Sequence, residues 1–474
     1  MSRESKLAKN TVILSIGTFF PKFATFITLP ILTACLSKDQ YGAYDLVTIL
    51  VSLLLPVTTL LIQAASFRFL IVHNRDKKYA KLYFSNSVSF VVPVSIVSLI
   101  ILYFFLPIND IAIKIWVCIY LFFDALVANV RQITRGMSKN LDYSISAIIS
   151  ACIKIGLAVL LVQFLRWELL GAIIALAMSP IISLVFLIFR IKAYELYDIS
   201  LVDWKVIKEM LSYSWPMVPN NMSAWVMRAS DRFIISIFMG LSANAVYAVA
   251  NKIPNLLSLA QSTFSMAWQE NASIVSADKD VSKYYSKMFI TMNNLYAGCL
   301  GLIITCTPVL FKLLIKGDYA EAYPQMPVLF LAAFFHCMAS YIGGIYIAYK
   351  NTKSVGITTV IAAAINIVVD LALIKFIGLF AASGSTLVSY LFLFIYRMID
   401  VKKIVDIEYD FSKFIPPIIV IIIESILCYI NNNVVNIVNV SFGIVSFYIL
   451  NRDVATSLIN LLKKKLFIKK RTGI

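Results

Sequence analysis

Three ionisable residues, Arg228, Asp231 and Arg232, fall inside one apolar stretch, Ser214 to Gly240, that is long enough to cross a bilayer. Groups of this kind cost roughly 2.5–3.5 kcal/mol each on insertion scales, so they face a water-filled cavity or a partner helix. Arg228 and Arg232 stand four residues apart and share a helix face, with Asp231 three residues after Arg228. Asp231 can hold the guanidinium groups in place and still leave a net positive charge. The trio is therefore a candidate binding site. Pro216, Pro219, Asn220 and Asn221 lie in the first turns of the same span. A bent helix start exposes backbone polar groups, which is acceptable where they line a cavity.

Four more cations sit within spans: Lys22, Arg68, Lys154 and Lys252. At 1.5 Å per residue, Lys22 is about 16 Å and Lys154 about 15 Å into their spans, and Arg228 and Arg232 are about 21 and 27 Å from the start of theirs. Arg68 is close enough to a span end to snorkel. The alternative to a cavity is pairing between helices, for which Asp45, Asp124, Asp370 and Glu424 are the candidate partners. Asp124 and Asp370 are also alternative sites for a coupling proton or Na⁺.

These residues need a membrane to position them, and the composition supplies it. The 474 residues are 60% hydrophobic and 14% charged, with a mean hydropathy of +0.84. Soluble domains run near 25% charged, so this reads as an all-α polytopic membrane protein. Runs of about 20 apolar residues recur along the whole length, which favours many spanning helices over a barrel of alternating strands. The seven cysteines lie in or beside apolar runs without paired spacing and read as small core residues. The polar start, Met1 to Asn10, leads into a run with no small-residue cleavage pattern, so no cleaved signal peptide is expected.

About 14 spans are expected, at 11–35, 43–71, 84–106, 112–136, 144–165, 169–190, 214–240, 243–269, 288–314, 325–349, 354–374, 378–398, 414–431 and 434–450. Thirty of the 42 Lys and Arg residues fall at the N-terminus, in alternate connections and in the C-terminal tail; six fall in the opposite connections. The tail from Lys463 to Arg471 is expected to lie against anionic headgroups. By the positive-inside bias both termini are cytoplasmic, and the net charge of +17 reports orientation; nucleic acid is not an expected partner.

The longest basic connection leaves six spans before it and eight after. A faint echo supports a duplication: Leu-Ser-Lys-Asp-Gln-Tyr-Gly-Ala-Tyr at 36–44 against Leu-Ser-Ala-Asn-Ala-Val-Tyr at 241–247, with Tyr44 and Tyr247 about 203 residues apart. Six is even, so the halves would be parallel repeats. The expected organisation is a six-helix lobe over 1–190, a cytoplasmic linker over 191–213, a second six-helix lobe over 214–398, and two extra helices with a basic tail over 399–474.

The chain resembles the Wzx-type oligosaccharide flippases of the multidrug/oligosaccharidyl-lipid/polysaccharide exporter superfamily, which are MATE-like in fold. The resemblance covers nearly the whole chain as 6 + 6 + 2 helices. It is carried by Asn10-Thr-Val-Ile-Leu-Ser-Ile-Gly, Tyr41-Gly-Ala-Tyr-Asp-Leu-Val-Thr, Ser66-Phe-Arg-Phe, Ser230-Asp-Arg-Phe-Ile-Ile and Val246-Tyr-Ala-Val-Ala-Asn-Lys. Where the family's second repeat has Gly before the Tyr of span eight, this chain has Ala245-Val246-Tyr247, a looser match. The resemblance implies two six-helix lobes around a cavity that opens alternately to each side. It also implies transfer of a polyprenyl (undecaprenyl) diphosphate-linked oligosaccharide to the outer leaflet for surface polysaccharide, whether O-antigen of lipopolysaccharide, capsule or exopolysaccharide. A bacterial plasma (inner) membrane location follows from it, as do a polysaccharide polymerase and a chain-length regulator as partners alongside membrane lipids. No cofactor is implied beyond a proton or Na⁺ gradient.

A lipid diphosphate brings negative charge into a low-dielectric region, and the cavity must supply cations to meet it. The Arg fork suits phosphate better than a Lys point charge. Sugar rings stack on aromatic faces, for which Trp215, Trp225 and Trp268 are the candidates, although most aromatics read as core or interfacial belt. A drug or cation antiporter of the same superfamily would want acidic residues to dominate the cavity, whereas the buried excess here is cationic. A membrane glycan polymerase would need a sizeable extramembrane loop with catalytic groups, and the outer connections are too short for one.

Overall fold

A computed structural model of the chain describes residues 3–73, 76–106, 108–452 and 456. It is 88% helix, with no strand among the described residues. Among the described residues, twelve helices are long and apolar enough to span a bilayer, which makes the chain a multi-pass membrane protein. The two further spans expected at 214–240 and 243–269 are helical too, but they are more polar and the second is broken. Span seven is the helix Met217–Phe238; span eight is Leu241–Ala250, a turn over 251–254 and then Asn255–Val275. Pro254 lies in that turn, where a missing N–H is least costly. The basic tail at 463–471 and Arg75 lie outside the described residues.

Short polar residues start the helices. Ser37 and Gln40 form a reciprocal capping box at Lys38–Thr59, and Asp110 accepts from the amides of Ala112 and Ile113 at the start of Ile111–Gly136. The span expected at 43–71 is interrupted. Leu60 and Leu61 both take left-handed backbone angles, φ 43° and 55°, between Lys38–Thr59 and Ile62–Val72. Nothing in Thr-Thr-Leu-Leu announces this, since such angles normally go to Gly or Asn. A π-helical segment, Ala158–Phe164, likewise ends the fifth span.

The chain packs as two compact units. The first runs to Ala248 and takes in Leu314–Asp318; the second holds Val249–Leu313 and the chain from Tyr319. This division follows packing, whereas the lobe boundary expected over 191–213 concerns duplication, which packing does not test. In the first unit Ile62, Leu70, Phe84, Val91, Val130 and Leu187 belong to one buried cluster. The connection after Ile191 is bound down against Lys77–Phe105: Asn86 donates to Leu201 O and accepts from the amide of Asp203, and Ser85 Oγ meets Leu196 O and the amide of Asp198. The Ser200 hydroxyl and amide hold the Asp198 carboxyl below the usual carboxylate range.

The second unit is built on aromatic packing. Trp268 is buried, stacks on Tyr341 at 4.6 Å and donates to Tyr341 O, while Phe289, Phe394 and Phe414 pack on one another. Trp268 is therefore core and is not a sugar platform. Cysteine placement is mixed: Cys337 and Cys428 are buried, but Cys152 and Cys306 are exposed, contrary to a uniform core role.

Candidate functional site

The helices Lys38–Thr59 and Met217–Phe238 run antiparallel in the first unit, joined at successive levels. Trp225 Nε1 donates to Ser52 Oγ at 3.0 Å and to Ile49 O at 3.3 Å. Seven residues further along each helix, Arg232 Nη1 donates to both oxygens of Asp45, at 2.9 and 2.8 Å. Beyond the end of the second helix, Gly42 packs so closely on the Leu241 carbonyl that a Cβ would collide with it. Asn244 donates to Gly42 O at 3.0 Å. Only Gly admits this approach.

Asn221, Trp225, Arg228 and Arg232 fall at i, i+4, i+7 and i+11 of Met217–Phe238 and so share a face. Arg232 is largely buried, with its Nε left without a partner among the described residues. Arg228 is exposed and, among the described residues, makes no ion pair. An Arg in mid-span rarely faces hydrocarbon, which makes the exposed Arg228 a candidate for the lining of an aqueous opening. Asp231 points elsewhere. It is buried and accepts from the Tyr247 hydroxyl at 2.8 Å, tying span seven to span eight. The expectation that Asp231 steadies both guanidinium groups is therefore replaced in part: Asp45, 187 residues away, holds Arg232.

A second charged group lies in the same unit. Asp124 on Ile111–Gly136 is within electrostatic reach of Lys154 on Asn140–Leu157 and of Arg131. Arg131 donates to Ser146 Oγ, Ser146 O and Ser183 Oγ at 3.2, 3.1 and 2.9 Å. Its place five residues from a helix end makes it look like a loop cation in sequence. The serines facing it are the signal that identifies it. Lys22 follows Pro21 in the first helix, half-buried, with Nζ 6.0 Å from the Phe19 ring centre.

The remaining candidates are dispersed. Arg68 is exposed on Ile62–Val72. Lys252 lies in the turn before Pro254 and Asp370 is fully buried in Thr352–Ile377, both in the second unit. That unit holds two ionisable groups that sequence reasoning gave no functional place. Arg397 is buried and donates to Thr358 Oγ1, Ala339 O, Val355 O and Thr359 Oγ1. Glu424 is buried in Phe411–Ile430.

The first unit's arrangement is electrostatic, with Arg232 set against the Asp45 carboxylate on a facing helix. It can hold one Arg rigidly, present another to water and so offer a fixed positive face inside the membrane.

Residues 7–269 match the family described as polysaccharide biosynthesis protein. No curated protein matches the chain. Among solved structures, the lipid II flippase MurJ in an inward closed conformation gives a TM-score of 0.69 at 16% identity, over 94% of this chain and 100% of that one. An inward-facing multidrug resistance MATE family transporter of the MOP superfamily gives 0.63 at 13% identity, over 82% and 98%. A MOP superfamily transporter from Pyrococcus furiosus gives 0.58 at 11% identity, over 83% and 95%. At these identities the likeness is one of fold.

Proposed function

We propose, for a chain that belongs to the polysaccharide biosynthesis protein family, that it is a flippase for polyprenyl-diphosphate-linked oligosaccharide. It carries its substrate from the cytoplasmic to the outer leaflet by alternating access, and Arg228 and Arg232 meet the diphosphate. The observation that supports this best is Arg228: an unpaired, exposed guanidinium in mid-span beside an Arg232 whose orientation Asp45 fixes. A diphosphate passing through low dielectric needs such a counter-charge, and Arg offers it as a two-pronged donor. Lys22, Lys154, Lys252 and Arg68 extend the cationic path at other depths, and Asp124 and Asp370 are the carboxylates available to a coupling proton or Na⁺. The basic connections face the cytoplasm of a bacterial plasma membrane.

The test is the leaflet location of the lipid-linked glycan in a deletion strain that has no redundant flippase, compared with the complemented strain. Accumulation on the cytoplasmic leaflet with loss of surface polysaccharide is expected, and Arg228→Ala should fail to complement while still inserting. A glycan that crosses and assembles normally without the gene overturns the reading. Efflux of lipophilic cations by the same protein would then make it a drug antiporter.

A further inference from the structure

The last two described helices, Phe411–Ile430 and Asn433–Leu450, meet Val281–Leu314 along a seam of small residues. Gly443 packs on Thr305, Gly301 on the Glu424 carboxyl, and Gly298 on Asn451, which donates to Asn294 O at 3.0 Å. Such small-residue contacts bring helices close enough to exclude lipid. Glu424 is fully buried in this seam. Its Oε1 accepts from Ser446 Oγ at 2.8 Å, and its backbone carbonyl accepts from Asn439 Nδ2 at 3.1 Å. Its Oε2 lies over Gly301 without a partner among the described residues.

Among the described residues no cation pairs with it. From 288 to 311 the first helix has no charged residue, and from 414 to 451 Glu424 is itself the sole charged residue. The titratable groups on the surrounding elements are weak acids or already engaged. Cys428, one turn along, meets the Tyr323 hydroxyl at 3.2 Å; Tyr296, Cys299 and Cys306 lie on Val281–Leu314, Tyr429 on Phe411–Ile430, and Tyr448 on Asn433–Leu450. On the neighbouring Met326–Ala348 helix, Cys337 is buried and the His336 ring sits against Tyr390 at 4.7 Å. An ionised carboxylate here would have one hydroxyl in place of its hydration shell, far short of what a buried charge requires. The gap left by Gly301 suits a neutral acid, which fits between packed helices with no counter-ion.

We infer that Glu424 is a proton-binding site that locks the last two helices onto Val281–Leu314, closed with the proton bound and loosened without it. This inference is independent of the proposed substrate. Sign and window follow from it: the seam's stability is complete while the acid is neutral and is lost as pH rises through its titration.

The test uses the full-length protein in nanodiscs, as wild type and as Glu424→Gln, which keeps the shape and cannot ionise. A protonated-carboxyl infrared band at pH 7 should be present in the wild type and missing from the variant. The wild-type thermal midpoint should fall between pH 7 and pH 10, whereas that of Glu424→Gln should stay flat and match the wild type at pH 7 within ~2 °C. A band unaffected by the substitution overturns the inference. So does a Gln variant that is strongly destabilised at pH 7, because the seam would then depend on the ionised carboxylate.

Discussion

Arg232 in the first unit is largely buried and Glu424 in the second is fully buried, both among apolar helices, but their surroundings differ. Arg232 meets both oxygens of Asp45 across two helices, while Glu424 has one hydroxyl and one glycine beside it and is flanked by stretches, 288–311 and the rest of 414–451, that hold no charged residue. The first arrangement keeps a charge by pairing it, and the neighbouring Arg228 is exposed on the same helix face. The second tolerates an acid only as a neutral group. Ion pairing gives a fixed positive surface; isolation gives a group that responds to pH.

Arg232→Ala is the most damaging way to break the comparison. It takes the guanidinium from Asp45, whose side chain is 4% exposed, and should cost about 3–5 kcal/mol, read as a fall in thermal midpoint of the purified protein. Combining it with Asp45→Asn should recover most of that loss without restoring export. Arg228→Ala, by contrast, should leave the midpoint unchanged and still abolish export. If both single variants lose stability equally, Arg228 is a structural residue.

A smaller effect is expected at two arginines that end corresponding spans of the proposed halves. Arg190 ends the sixth span and Arg397 the twelfth, but Arg190 is 59% exposed and paired with Asp142 at 2.8 Å, whereas Arg397 is buried among four acceptors with no carboxylate. Arg397→Ala leaves two carbonyls and two hydroxyls without their donor, at about 2–4 kcal/mol, while Arg190→Ala should leave the thermal midpoint nearly unchanged. Equal costs would mean that the two ends are built alike. The smallest change sharpens the seam: Gly301→Ala places a methyl against the Glu424 carboxyl and should lower the midpoint by about 1–3 kcal/mol equivalent through overpacking.

The spans were legible because an apolar run of about 20 residues has few other uses, and the motifs around Tyr41, Ser230 and Val246 do converge, through Asp45, Arg232, Asp231 and Tyr247. The partners themselves were not legible. Asp45 and Arg232 are far apart in sequence, and no local rule chooses Asp45 over Asp231 as the counter-ion. The break at Leu60–Leu61 was hidden because tertiary packing alone holds two leucines in a left-handed turn. Arg131 and Arg397 read as loop cations because their ligands are hydroxyls and carbonyls, which carry no charge signal. Glu424 was visible as a charge and silent as a site, since what defines it is the meeting of two uncharged stretches, 288–311 and the rest of 414–451, that are far apart in sequence.

The distance between Asp45 and Arg232 also sets a timetable. With synthesis at about 5–20 residues per second, the 187 residues between them take roughly 10–40 s to appear. Throughout that interval the nascent first unit carries the Asp45 carboxylate before the Arg232 guanidinium that it will hold has been made. The first unit is thus completed by a helix made after its own sixth span. Chains arrested before Arg232 should hold the Lys38–Thr59 helix in an unfinished state that surveillance proteases can recognise, and release from that state coincides with the arrival of the residues that form the positive face.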